Sequence, residues 1–171
     1  VVRRYSGADI SLPMVIGIVL QYIKKTERRI NMKIARRGAR YYIAYGEYLS
    51  IMQMAQKCIT AERIGKSFIR GWKLDFRGTD GNAGENIVPC SDGVVPVCIW
   101  RVAMDDEVEL DLRYKYPYLY TKKEFSVIKD GRIYTGFTYV MNGSFPSASL
   151  SKVMKMIMQE GYTYIDIPVA E

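Results

Sequence analysis

From Arg40 onward the chain is a series of short β-rich runs, interrupted by two short helical patterns and closed by one amphipathic segment. Tyr41–Tyr45 is aromatic and β-branched and ends at Gly46, which predicts a strand running into a turn. Leu49, Met52 and Ala55 follow at helical spacing, with Ser50 placed as a cap. Residues 64–76 form a long strand or a pair bent at Gly71, and residues 77–84 form a loop by their Gly and Asn content. Residues 86–89 and 94–102 are short apolar strands around a Ser-Asp-Gly turn. Residues 105–111 are acidic and predict a short helix, with Asp105 or Asp106 near its N-terminus as the helix dipole prefers. Asp130-Gly131 between two β-rich runs, 125–128 and 132–141, is a hairpin signal. Leu150, Val153, Met154, Ile157 and Met158 make an amphipathic helix, with Gly161 as its C-cap. Strands and helices that do not alternate as βαβ units exclude a doubly wound parallel fold. They predict an α+β domain with a mixed or antiparallel sheet, curled into a small barrel.

Residues 1–39 differ in kind. The run from Ser11 to Ile23 is apolar all round, too short to span a bilayer, and predicts a helix with Pro13 in its first turn. Asp9 before it and Lys24-Lys25 after it argue against a signal peptide. Residues 1–40 carry ten Lys/Arg against Asp9 and Glu27, a net of +8, whereas the whole chain carries +7. The basicity therefore belongs to the N-terminal segment. This segment reads as a solvated helix end and linker. Self-association through the helix, or binding to nucleic acid or an anionic surface, are the alternative roles.

Histidine is absent, which removes the commonest general base and metal ligand. Three widely spaced cysteines with no C-x-x-C pair read as reduced thiols in a cytoplasmic protein. Tyr114, Tyr116, Tyr118 and Tyr120 alternate, which suits one face of an extended segment. Such a face is either structural or a platform for a flat, nucleotide-like ligand.

Several segments, taken in order, resemble γ-glutamylcyclotransferase-like proteins over about residues 40–165. Tyr42-Ile-Ala-Tyr-Gly46 with Leu49 is similar to the family's Tyr-Phe-Ala-Tyr-Gly-Ser-Asn-Leu strand and loop. Leu74-Asp-Phe-Arg-Gly78, Asn86-Ile-Val-Pro89 and Val95-Pro-Val-Cys-Ile-Trp100 look like successive strands of bacterial members. Leu110-Asp111, Tyr116-Pro117 and Leu119-Tyr120 are similar to Leu-Asp-x-x-Glu-Gly-Tyr-Pro-x-Leu-Tyr. The resemblance implies a small mixed β-barrel with short flanking helices and a domain over residues 40–171. It also implies cofactor-free release of 5-oxoproline from γ-glutamyl amines or peptides, with no metal. In the family a backbone N–H loop orients the substrate and a Glu acts as base. Carried over by position, the ligand site is Tyr45, Gly46, Glu47, Tyr48 and Leu49 with Arg77, Tyr114 and Tyr120.

Two positions depart from that pattern. Tyr114 stands where the family has its catalytic Glu, and a phenol of pKa near 10 is not an equivalent base. Lys115 stands where the family has Gly, and Glu47-Tyr48 replaces Ser-Asn. A Glu47 carboxylate facing the pocket repels an anionic ligand unless it turns outward. The leading expectation is a domain that binds a γ-glutamyl compound or another small molecule without turnover. The alternatives are an active cyclotransferase using Glu47 or another carboxylate, and an interaction protein acting through its N-terminal helix.

Overall fold

The structure, a computed structural model, describes residue 13, residues 16–25 and residues 38–164. The chain divides into two units, Val1–Arg37 and Gly38–Glu171. In the first unit residues 16–25 are helical. The expected helix start at Ser11 and most of the basic stretch lie outside the described residues. Among those described, no helix is long and apolar enough to cross a membrane.

The second unit is an α+β domain. Its strands are β1 (Arg40–Ala44), β2 (Glu62–Thr79), β3 (Asn82–Val102), β4 (Tyr120–Lys129) and β5 (Arg132–Met141). Its helices are α1 (Ile51–Lys57), α2 (Met104–Arg113) and α3 (Lys152–Tyr164), with a 3-10 turn over Gly46–Leu49. The sheet order is β2-β3-β1-β5-β4. All neighbours are antiparallel except β1 and β5, which makes the sheet mixed.

Central β1 is buried on both faces, so its sequence is apolar without alternation. Tyr42 and Ala44 join a core with Leu49, Met54, Trp100, Leu110, Tyr114 and Tyr139, beneath α1 and α2. Ile43 and Tyr45 join the opposite core with Ile69, Ile87, Val97, Ile99 and Val127.

The expected barrel is corrected to an open, curled sheet. The outer strands β2 and β4 approach through side chains: Ser67 Oγ donates to Ile128 O at 2.6 Å, and Trp72 meets Phe125 edge-on at 5.2 Å. No backbone ladder joins β2 to β4 among the described residues. The two strands thus meet through side chains and not through paired backbones.

The expected loop at 77–84 is instead the tip of a long hairpin. Thr79 pairs with Asn82 across Asp80-Gly81, and Gly81 supplies φ 78°. The Ser-Asp-Gly interruption is a bulge within one strand. Arg70 pairs with Val94 and Trp72 with Pro89, so residues 90–93 arch opposite Gly71 and both strands bend there. Ser50 caps α1 by accepting from Gln53 N at 3.4 Å. Asp106 anchors the start of α2, accepting from Ala103 N at 3.2 Å and Thr60 Oγ1 at 2.6 Å.

Gly161 is no C-cap but an interior residue of α3. A Cβ there would lie 2.8 Å from Leu49 Cβ, so glycine permits α3 to seat on the 3-10 turn. Residues 115–119 are a tight turn, not an extended strand: Tyr118 N and Leu119 N both donate to Lys115 O at 2.9 Å, and Lys115 has φ 48°. Tyr114 (1% exposed) and Tyr120 (4%) are therefore buried, whereas Tyr118 (89%) faces solvent.

Candidate functional site

A cleft of about 530 Å³ opens between the tip of the β2–β3 hairpin, the turn after α2 and the segment entering α3. Its walls include Arg77, Arg113, Lys115, Leu119, Met141, Phe145 and Met154, and Glu85, Tyr114 and Tyr120 also line it. The hairpin tip is held in place by the segment after β5. Gly78 N donates to Pro146 O at 2.9 Å, Gly81 N to Ser149 O at 3.0 Å, and Arg77 Nη1 to Phe145 O at 3.1 Å.

Glu85, on β3, is the feature that sequence reasoning missed. Its carboxylate is only 5% exposed and has two donors. Glu47 N–H donates to Oε2 at 2.8 Å, and the Tyr114 hydroxyl donates to Oε1 at 2.9 Å. Tyr42 Oη lies 3.1 Å behind Tyr114 Oη and extends the chain of hydroxyls into the core. The backbone of Glu85 is also fixed, since Tyr120 Oη donates to its carbonyl at 2.8 Å. Next to it, Asn86 Oδ1 accepts from Met141 N at 2.9 Å.

Gly46 makes this arrangement possible. Its φ is +64°, and a Cβ on it would fall 1.7 Å from Glu85 Oε2. The Tyr-Gly loop therefore lets a carboxylate lie directly on its own backbone, with the next N–H as donor.

Glu47 is turned away from the cleft and nearly buried. The Arg113 guanidinium stands 2.7 Å from its Oε1, although no donor is aligned on that oxygen for a hydrogen bond. The pairing is thus one of charge, and it offsets the repulsion expected from a carboxylate in this loop.

Two acids so close in a buried place cannot both ionise cheaply. Burial, reinforced by the negative charge of Glu47, pushes the Glu85 carboxyl up to about 8, against the opposing pull of its two hydrogen bonds and Arg113. Burial also raises the phenols of Tyr42, Tyr45, Tyr114, Tyr48, Tyr120 and Tyr162 above their ordinary value, so all stay neutral near pH 8. The thiols of Cys58 and Cys98 are raised by burial to about 12 and about 11, which removes both as thiolates near neutrality.

Of the residues expected at the site, Arg77, Tyr114 and Tyr120 line the cleft. Gly46 and Glu47 touch its floor through Glu85. Tyr45, Tyr48 and Leu49 are buried in the two cores; Tyr45 Oη donates to Tyr139 O at 2.7 Å, and Tyr48 O accepts from Trp100 Nε1 at 3.0 Å. The Tyr114 ring is already stacked on Tyr139, with centroids 4.2 Å apart and planes at 16°, so one of its faces is covered. Among the described residues, no group of three or more Cys, Asp or Glu is placed to hold a metal ion.

No family model matches the sequence, and no curated protein matches it. Solved structures do match the fold. One is a γ-glutamyl cyclotransferase, 21% identical, with a TM-score of 0.69 over 77% of this chain and 82% of that one. The chain has a γ-glutamylcyclotransferase-like fold. YkqA from Bacillus subtilis matches at 14% identity and a TM-score of 0.64, over 73% of this chain and 48% of that one. An AIG2-like protein from Mus musculus matches at 17% identity and a TM-score of 0.51, over 63% of this chain and 80% of that one. Within this γ-glutamylcyclotransferase-like fold, Glu85 on β3 stands one hydrogen bond from Tyr114 at the end of α2.

Proposed function

We propose that the cleft binds a small molecule bearing a γ-glutamyl group. The observation that supports this most is the placing of one acid and two cations around one small cleft. Glu85 lies at its floor, and Arg113 and Lys115 stand at its wall. A γ-glutamyl group ends in an α-amino acid, with an ammonium and a carboxylate on one carbon. An acid and a base facing one cavity suit both ends, and about 530 Å³ is a common size for such ligands. The fold likeness to a γ-glutamyl cyclotransferase supports the same ligand class.

Calorimetric titration of the full chain with glutathione, γ-glutamyl-amino acids and γ-glutamylamines tests this reading. The expected result is saturable binding, weakened at least about tenfold when the α-carboxylate is removed, as in a 4-aminobutanoyl amide. Equal binding with and without that carboxylate, or none to any γ-glutamyl compound, refutes it.

A further inference from the structure

We propose that Glu85 is the acid–base group of this cleft and that Tyr114 positions it, so that the chain releases 5-oxoproline although position 114 has no carboxylate. This rests on the γ-glutamyl reading of the ligand. The geometry carries it. The Tyr114 hydroxyl is 2.9 Å from Glu85 Oε1, so the acid stands one hydrogen bond from the side chain that occupies the resembled family's Glu position. The second oxygen, Oε2, lies 2.8 Å from the N–H of Glu47, which ties the acid to the Tyr-Gly loop. Glu85 lines the cleft, and the clamped β3 backbone holds it still.

A structural role alone explains this poorly. The loop N–H needs only a neutral acceptor, and a glutamine or asparagine would serve. A titratable acid beside Glu47 instead makes stability depend on pH, and groups with so perturbed a proton affinity collect where protons are exchanged. Burial supports the role by keeping the proton affinity of Glu85 near neutrality. The ionisable groups around Glu85 are Tyr42 and Tyr45 on β1, Glu47 and Tyr48 on the 3-10 turn, Arg113 and Tyr114 on α2, Tyr120 on β4 and Tyr162 on α3. The phenols among them remain neutral near pH 8, so among these groups a titration at that pH belongs to Glu85, and the ligand's own α-amine, which also titrates near 8, is told apart by titrating it free in solution.

The step balances without water or an oxidant. The neutral α-amine nitrogen attacks the γ-carbonyl carbon and gives one proton to Glu85 as the ring N–C bond forms. The tetrahedral alkoxide collapses, the bond to the leaving nitrogen breaks, and that nitrogen takes the proton from Glu85. The products are 5-oxoproline and a free amine, and the carboxylate is restored.

The test follows 5-oxoproline by mass spectrometry with γ-glutamyl-alanine, a γ-glutamylamine and glutathione, beside calorimetric binding of the same compounds. Wild type is expected to form product. Glu85→Gln should still bind but lose at least about a hundredfold in kcat. Tyr114→Phe should retain turnover with its pH midpoint moved upward, because a hydrogen bond to the ionised form is lost. Wild type that binds without product between pH 6 and 9.5 overturns the inference and leaves the binding reading intact. An unchanged kcat in Glu85→Gln, or an unmoved midpoint in Tyr114→Phe, also overturns it. Absence of any binding overturns both.

Discussion

Replacing Glu85 by Gln should change how stability depends on pH. The Glu85 carboxyl rises from 4.5 to about 8 in the folded state. Between those values the native protein holds a proton that the unfolded chain has released. The contribution of Glu85 to stability is therefore fully present below about pH 4.5 and falls as pH rises, by about 1.4 kcal/mol per unit, until the folded group itself ionises near pH 8. The whole window is worth on the order of 5 kcal/mol. No histidine is present, so no His side chain titrates in this range. The raised phenols act only above pH 10, and the raised Cys58 and Cys98 thiols only above pH 9. Urea denaturation at pH 5.5, 6.5, 7.5 and 8.5 reads the effect. Wild type should lose stability with pH across this series, and Glu85→Gln should lack that slope. The glutamine keeps an acceptor for Glu47 N–H and a donor for Tyr114. Parallel pH curves for the two proteins would refute the claim that Glu85 is buried with a raised pKa.

Gly46→Ala should destabilise the domain by at least about 2 kcal/mol in the same assay, since φ is +64° and the new Cβ would collide with the Glu85 carboxylate. Lys115→Gly should stabilise it by up to about 1 kcal/mol by relieving a left-handed backbone at φ 48°. Gly161→Ala separates two effects: helix propensity alone favours alanine by about 1 kcal/mol, but the 2.8 Å approach to Leu49 Cβ should make the net effect destabilising by about 1–3 kcal/mol. With a thiol reagent at pH 8, Cys90 should react well before the buried Cys58 and Cys98.

Local chemistry made much of the fold readable. β1 announces itself by a doubly buried apolar run ending in Gly46. Ser50 and Asp106 mark the starts of α1 and α2, and Asp130-Gly131 marks the β4–β5 hairpin. Two of the misreadings, at residues 77–84 and 90–93, share one cause: glycine was taken to end strands where it serves within or between them. Asp80-Gly81 is a hairpin turn like Asp130-Gly131, and Gly93 belongs to a bulge inside β3. A Cβ on Gly93 would meet Trp72 O at 2.3 Å, which is a tertiary constraint.

Glu85 escaped notice because nothing near it forms a motif. Its partners Glu47 and Tyr114 are separated from it by 38 and 29 residues. One signal was present. In an extended strand Glu85 shares its face with Ile87, which is fully buried, so a lone acid had the parity of the core. Position 114 carries a phenol and no carboxylate. What one sequence could not show is that β3 brings a carboxyl group within hydrogen-bond reach of Tyr114.

The pH–rate profile of 5-oxoproline release tests the account most directly. With γ-glutamyl-alanine as substrate, kcat/KM of wild type should rise about tenfold per unit below the pKa of Glu85 and level off above about pH 8, the value its burial sets. A profile flat from pH 6 to 9.5, or no product across that range, would contradict the assignment of Glu85 as the base.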